Sequence, residues 1–182
     1  MSEELLPGFT ILMSTYNSGA RLGRALERVR RQDYPGELMQ IVVADGGSTD
    51  RTIDIADSYG ATVVDNQLRL GEEGLRAGMP RVERELVVIF ADDNEFAQDD
   101  WLSTVAGIFE ENKELDAFFC RLGASDDDPP ANKYYALIEN EPLNFYMNQS
   151  RLLHPSLNGK ATGHGGLQCI RGRPLQASRL GS

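Results

Sequence analysis

Three short polar clusters hold the side chains best suited to chemistry in this sequence: Thr15-Tyr16-Asn17, Asp45-Gly46-Gly47-Ser48 and Asp92-Asp93-Asn94. Each follows an apolar run. Asp92 and Asp93 stand behind Leu86–Phe90, a run that reads as a buried strand. Adjacent carboxylates repel each other unless a cation offsets them. A hard divalent ion such as Mg or Mn takes oxygen ligands, and it binds through one or two carboxylates together with the phosphates of a substrate. The same pair also suits a turn or a helix cap. Asp45 offers an acceptor beside Gly46-Gly47, where a ligand can approach the backbone closely. That string also reads as an ordinary strand-to-helix turn.

The elements that must position these clusters alternate. Phe9–Met13 reads as a strand, and Leu22, Ala25, Leu26 and Val29 recur at helical spacing after it. Arg21, Arg24, Arg28 and Arg31 fall on the other side of that helix, as a solvated face does. Met39–Ala44 reads as a second strand, with Ser48, Thr49 and Asp50 as N-cap candidates for a helix that Gly60 closes. Ala61–Val64 is a short third strand. Leu75, Met79 and Val82 suggest a helix interrupted near Pro80. After the Leu86–Phe90 strand, Trp101, Leu102, Val105, Ala106 and Phe109 line a helix that Asp99 or Asp100 would cap. Leu115–Leu122 and Leu167–Arg171 read as further strands, and Lys133–Glu139 as a short helix. Alternating strands and helices with continuous apolar strands predict an α/β fold, a Rossmann-like, mostly parallel sheet with helices on both faces. In such sheets ligands bind outside the carboxyl ends of the strands, which is where all three clusters fall.

Composition narrows the partners. The 182 residues suffice for one domain with a real core, and 41% are apolar against 25% charged. Lys and Arg total 18 and Asp and Glu 28, a net charge of -10, which argues against a nucleic-acid partner. An anionic phosphate ligand would therefore need backbone donors, placed arginines or a metal. No run approaches the roughly 18 apolar residues of a membrane span. The acidic N-terminus does not read as a secretory leader. Cys120 and Cys169 stand far apart, without zinc or disulfide spacing, and His154 and His164 form no recognised metal pattern. A reduced, cytoplasmic setting is expected. There is no Walker loop and no GxGxxG.

The residues resemble the family 2 glycosyltransferases, which have the GT-A fold. Thr15-Tyr16-Asn17, the segment Ile41-Val42-Val43-Ala44-Asp45-Gly46-Gly47-Ser48-Thr49-Asp50 and Ile89-Phe90-Ala91-Asp92-Asp93-Asn94 come in that family's order and at about its spacing. Gln32-Asp33-Tyr34-Pro35 also looks like the family's segment before its second strand. The resemblance covers residues 9–122 well and 160–180 more weakly. It implies that Asp45 hydrogen-bonds a base, usually uracil, and that the backbone near Thr15 packs beside it. The family's Asp-x-Asp motif reads Ala91-Asp92-Asp93 here, so Asp93 matches the metal-binding acid and Asp92 would substitute for the lost carboxylate. Arg76 stands near the position of an Arg that often precedes the metal strand, offset by one residue. The nucleotide-binding set expected from the resemblance is thus Thr15, Tyr16, Asn17, Asp45, Gly46, Arg76 and Asp92, with Asp93 on a divalent metal, Mn or Mg.

The implied reaction is an inverting displacement from a nucleotide-diphosphate sugar, expected to be a UDP-sugar, onto an acceptor hydroxyl. The family's base is usually an acid in a Glu-Asp pair beyond a glycine-rich strand. Gly163-His164-Gly165-Gly166 through Cys169-Ile170-Arg171 resembles that strand, yet no Glu or Asp follows Glu141. The expectation is a C-terminally truncated domain over residues 1–182, with a nucleotide-sugar-binding half at 9–122, a partial acceptor-side half at 123–182 and no assigned catalytic base. Glu139 and Glu141 are unfavoured substitutes, and His164 reads as a loop residue more readily than as a metal or acceptor contact. The acceptor is a glycan, lipid or small molecule that the residues do not identify. Membrane association would come only through segments absent here. Two other classes compete. A module that binds a nucleotide sugar without transferring it fits the missing acid. A nucleotidyltransferase would need a Gly- and Lys/Arg-rich loop after the first strand, where Ser14-Thr15-Tyr16-Asn17-Ser18-Gly19 stands instead.

Overall fold

The first strand, β1 (Phe9–Thr15), is mostly apolar because both its faces are covered; Phe9, Ile11, Leu12 and Met13 expose no area, and neither does Thr10. This computed structural model describes residues 6–118, 124, 126, 128–131, 133–134 and 169–171. β1 pairs in parallel with β2 (Met39–Asp45) on one side and with β4 (Leu86–Ala91) on the other. β2 pairs in parallel with β3 (Thr62–Asp65). The register sets Thr15 opposite Asp45, Asp45 opposite Asp65, and Ser14 opposite Ala91, so the carboxyl ends of four strands finish level. β6 (Cys169–Arg171) runs antiparallel to β4, and the six-stranded order is β3-β2-β1-β4-β6-β5, with β5 at Ala117–Phe118. The sheet is the mostly parallel one expected, with an antiparallel strand beyond β4.

Successive side chains alternate between faces of a strand. Leu12, Val42 and Val87 form a fully buried cluster on one face, packed by Val64, Leu75, Met79, Val82 and Ile170. Ile11, Met13, Val43 and Val88 are buried on the other. Each such aliphatic side chain stabilises the fold by about 1.5–3 kcal/mol. α1 (Gly19–Arg30) buries Leu22, Ala25, Leu26 and Val29, the predicted face. α3 (Gly71–Gly78) lies close on β1 because it presents glycines: a Cβ at Gly74 would overlap Ser14, and one at Gly78 would overlap Leu12. The apolar periodicity continues past α3 to Val82, but Pro80 converts its end into a single 3-10 turn, Met79–Arg81.

The C-terminal end of α2 (Thr52–Ser58) follows the expected turn chemistry. It forms a Schellman arrangement, with Gly60 N–H donating to Asp57 O at 2.9 Å and Ala61 N–H to Ala56 O at 3.1 Å. Gly60 has φ +70°, a left-handed conformation that costs an L side chain roughly 1–2 kcal/mol. Gly60→Ala is therefore expected to lower unfolding stability by about that amount with no change in the far-ultraviolet spectrum, as a urea titration would show.

At the start of α2, Asp50 acts from two residues upstream of Thr52, accepting its backbone N–H at 3.0 Å. The start of α4 (Trp101–Glu111) corrects an expectation. Asp100 occupies the N-cap position, but neither its side chain nor that of Asp99 caps the helix. The buried Gln32 does so instead, its Oε1 accepting Leu102 N–H at 3.1 Å while its amide donates to Gln98 O at 2.8 Å. Gln32-Asp33-Tyr34-Pro35 is thus a docking segment. Asp33 N–H reaches Asp99 O at 2.7 Å, and Tyr34 packs edge-on against Phe9 and donates to Pro7 O at 2.7 Å. Burial, with Glu85 nearby, pushes the Tyr34 hydroxyl up to about 12.

The chain divides into two compact units, residues 1–117 with 169–182, and residues 118–168. Of the second unit only short pieces between 118 and 134 are described. Cys120, Glu139, Glu141, His154, His164 and the Gly163-His164-Gly165-Gly166 run lie outside the described residues, as do most of the predicted 133–139 helix and the remainder of the predicted strands at 115–122 and 167–171. Among the described residues no helix is long and apolar enough to cross a membrane.

Candidate functional site

The loops after β1 and β2 are knitted together at the carboxyl edge of the sheet. Gly46 N–H donates to Thr15 O at 2.9 Å. Asn17 N–H donates to Ser48 Oγ at 2.8 Å, and Asn17 Oδ1 accepts Thr49 N–H at 2.8 Å. Asn17 takes φ +46°, a conformation its short polar side chain tolerates better than most. Ser18 N–H donates to Thr52 Oγ1 at 3.0 Å and Gly19 N–H to Asp50 Oδ2 at 3.1 Å. The Thr52 hydroxyl, and after it the Gly19 amide, hold the Asp50 carboxyl below the usual carboxylate range.

Asp45 ends β2 and is buried, 4% exposed. Its Oδ2 accepts the amides of Gly47 and Ser48, both at 2.8 Å, and Oδ1 accepts the Ser48 hydroxyl. A carboxylate has about four acceptor positions. Oδ2 is therefore filled from within the loop, and Oδ1 keeps one position for another donor. The Asp-Gly-Gly-Ser string is a tight strand-to-helix turn that still retains acceptor capacity.

Asp92 and Asp93 part company in space. Asp92 turns inward: Thr15 Oγ1 donates to its Oδ2 at 2.9 Å, Ser18 Oγ donates to the same oxygen, and Arg21 Nη2 lies 4.0 Å away. Asp93 is exposed and has no hydrogen-bond or ion-pair partner among the described residues. The two carboxylates avoid facing each other by this division, and only Asp93 is left open to solvent.

The arginine face of α1 is more than a solvated surface. Arg24 and Arg28 reach Glu95 at 3.2 and 3.4 Å, and Arg31 reaches Asp99 at 2.9 Å. With Arg21 beside Asp92, all four predicted surface arginines line the loop that follows β4. Each exposed pair is worth about 0–1 kcal/mol, so the array orients the loop more than it stabilises the protein. Apolar anchors help: Phe90 stacks on Phe96 at 4.6 Å, and Phe96 lies 5.0 Å from Trp101.

Thr15, Tyr16, Asn17, Asp45, Gly46 and Asp92 are thus brought together on one edge, with Asp93 exposed beside Asp92. Arg76 sits elsewhere on α3, its side chain 76% exposed and paired with Glu73 at 2.7 Å. Sequence reasoning missed Arg69, which follows β3. Its guanidinium lies 4.7 Å from the Tyr16 ring centroid and donates to Tyr16 Oη at 3.1 Å. The signal was available, since 69 follows the third strand on the same edge, but a lone arginine in a polar loop carries no motif.

A divalent ion is implied by the resemblance, and the donor set can be tested against it. Among the described residues no three His, Cys, Asp or Glu side chains gather into a ready-made cage. An ion shared with a diphosphate needs only one or two carboxylates, and the unpartnered, exposed Asp93 meets that need.

The sequence model of "Glycosyl transferase family 2" matches residues 10–169. Among curated proteins, the Staphylococcus aureus poly(ribitol-phosphate) beta-N-acetylglucosaminyltransferase TarS is 25% identical over 112 residues, covering 57% of this chain and 19% of TarS. The 4,4'-diaponeurosporenoate glycosyltransferase of the same organism is 41% identical over 56 residues, 31% of this chain and 14% of that protein. Among solved structures, S. aureus TarS 1-349 in complex with UDP superposes with a TM-score of 0.59 at 22% identity, over 68% of this chain and 38% of that one. The mannosyltransferase PcManGT from Pyrobaculum calidifontis, in complex with GDP-Man and Mn2+, gives 0.57 at 23% identity, over 74% and 39%. The chain therefore spans about a fifth or less of these curated relatives and under two fifths of these solved chains. The structural likeness establishes a GT-A glycosyltransferase fold, and the match over residues 10–169 places this chain in glycosyl transferase family 2.

Proposed function

We propose that this polypeptide forms the donor-binding part of an inverting glycosyltransferase that takes a sugar from a nucleoside diphosphate, UDP first among them, to an acceptor hydroxyl. The observation that carries this reading is the convergence of Thr15, Asp45 and Asp92 in one hydrogen-bonded edge, with Asp93 exposed next to it. Residues 9–122 supply that edge. The base would lie against the Thr15–Asn17 and Asp45–Gly46 loops, and the diphosphate toward Asp92 and Asp93. Solved relatives of the same fold carry UDP in one case and GDP-Man with Mn2+ in another, which supports both a nucleotide and a metal here. Asp93 would hold that metal. A bound divalent ion offsets the diphosphate charge and stabilises the departing nucleoside diphosphate.

The chain's own contribution is to bind and orient. Asp92 fixes the Thr15 and Ser18 hydroxyls, and so sets the β1 loop against the β4 loop. Proton removal from the acceptor typically needs a positioned base worth about 10²–10⁴-fold. None of the residues at this edge is proposed for that role.

A thermal-shift panel of UDP, GDP, dTDP and CDP, each with Mn and with EDTA, tests the reading. UDP is expected to raise the melting temperature, and Mn to enlarge the rise. At 100 times its Kd a ligand adds about 2.7 kcal/mol to stability, which moves the melting temperature by several degrees. Absence of any shift with all four nucleotides would overturn the donor-binding reading. An equal shift with Mn and EDTA would overturn the metal.

A further inference from the structure

We infer that Arg24 and Arg28 of α1 are positioning residues that act through Glu95 to hold Asp93 where a divalent ion and a diphosphate can meet it; this rests on the proposed donor site. The loop after β4 needs such help. Of the nine residues from Asp92 to Asp100, five are acidic and none is basic. Acids so close together repel one another, and the loop keeps one shape only if cations lie beside it.

The cations are supplied in matching order. Arg21, Arg24, Arg28 and Arg31 follow at intervals of three, four and three, which is one stripe of a helix. Asp92, Glu95 and Asp99 follow at intervals of three and four. The two rows pair in chain order: Arg21 with Asp92 at 4.0 Å, Arg24 and Arg28 with Glu95 at 3.2 and 3.4 Å, and Arg31 with Asp99 at 2.9 Å. The loop therefore runs alongside α1, in step with it. Glu95 is the acid held from two successive turns of the helix.

Little else fixes the middle of the loop. Its start is turned by Asn94 N–H on Ala91 O at 3.1 Å, and its end is docked by Gln32 on Gln98 O and by Asp33 N–H on Asp99 O. Between these, among the described residues, two side chains tie the chain down. Phe96 is buried and stacks on Phe90, which sets how deep the loop lies. Apolar burial is not directional, so the sideways placement falls to Glu95. Asp93 is thus bracketed. Asp92 before it is held by the Thr15 and Ser18 hydroxyls, and Glu95 after it by the two arginines.

The same pairs decide which carboxylate a cation meets. Of the three acids nearest the sheet edge, Asp92 and Glu95 have arginine partners and Asp93 has none among the described residues. Positioning and plain charge then predict opposite signs. Arg24 and Arg28 are cations near a cation site. Acting only through their field, they would oppose a divalent ion, and neutralising them would strengthen its binding. Acting by holding Asp93 in place, they favour the ion, and neutralising them weakens its binding.

The test is calorimetric titration of UDP, with Mn and with EDTA, and of uridine, into the unaltered protein, the Arg24→Gln/Arg28→Gln and Arg24→Lys/Arg28→Lys double variants, and Glu95→Gln. The glutamine pair and Glu95→Gln are each expected to shrink the Mn-dependent gain in UDP affinity by about 3- to 10-fold, with uridine and UDP in EDTA unchanged. The lysine pair keeps both charges and should retain most of the gain. At about 1 M salt, where the screening length falls to roughly 3 Å, the glutamine pair and the unaltered protein should converge. Trp101, the single tryptophan, stands just past the loop with its ring 5.0 Å from that of Phe96, so it reports the loop without any ligand. Quenching of its fluorescence by acrylamide is expected to rise in the glutamine pair and in Glu95→Gln. An Mn-dependent gain that is unchanged or enlarged in the glutamine pair, or Trp101 quenching that does not rise in it, overturns the inference and leaves the donor site standing. An equal loss for uridine overturns it in favour of a general structural role. If UDP binds the unaltered protein with no response to Mn, the metal reading fails and the inference falls with it.

Discussion

Asp45→Asn is expected to weaken both uridine and UDP by roughly 10- to 100-fold, the equivalent of about 1.5–3 kcal/mol for a hydrogen bond to a charged group. Asparagine is the informative change because Asp45 has two tasks in the structure. Its Oδ2 accepts the amides of Gly47 and Ser48, and its Oδ1 carries the remaining acceptor position. Alanine would abolish both and leave two amides unsatisfied in a buried turn, so a binding loss would be mixed with a folding loss. Asparagine keeps one oxygen for the amides. Its NH2 replaces Oδ1, and the Ser48 hydroxyl rotates from donor to acceptor. The turn survives, but the free position now presents a donor to the base N–H. Uridine is the decisive ligand, since it has no phosphate to hold a metal. An unchanged uridine affinity, with the melting temperature also unchanged, would refute the base-reading role of Asp45.

The parts of this fold legible in the sequence were those where one physical rule acts alone. Mostly apolar runs gave β1, β2 and β4 to within two residues, because strands covered on both faces are dominated by apolar side chains. The buried faces of α1 and α4 followed from periodicity. The three loop clusters came from strand ends, and the register that sets Thr15 level with Asp45 is what parallel pairing of such runs produces. What was not legible depends on long-range partners. Gln32 caps a helix that begins 69 residues later, judged by its bond to Leu102 at a separation of 70. Local rules favour Asp99 or Asp100, and nothing in a window of sequence reveals that a buried amide from elsewhere has already satisfied the first turn. The same holds for the arginines of α1. Their spacing shows a polar face, but not that the face meets Glu95 and Asp99. Arg69 needed both the strand order and the Tyr16 contact before it stood out from other surface cations.

Asp93→Asn is expected to abolish the effect of Mn on UDP binding while leaving uridine untouched. Asparagine keeps the size and one oxygen but removes the charge that would draw a divalent ion to an exposed loop. Two unit charges about 4 Å apart attract by about 4 kcal/mol at an effective dielectric near 20, and dehydrating the ion offsets part of this. A Mn-dependent gain on the order of 10–100-fold in the unaltered protein is therefore expected to collapse to the value measured in EDTA. Asp92→Asn provides the contrast. Asp92 accepts hydrogen bonds from Thr15 and Ser18 and lies beside Arg21, so its charge is already used within the protein. Its replacement should lower the melting temperature by loosening the β1 loop, with a proportionate loss for uridine and UDP alike, and the Mn response should persist. Isothermal titration of UDP into both variants, with Mn and with EDTA, separates the two carboxylates. Should Asp92→Asn erase the Mn response and Asp93→Asn preserve it, the metal would belong to the inward carboxylate, and the bonds from Thr15 and Ser18 would have to give way when the donor binds.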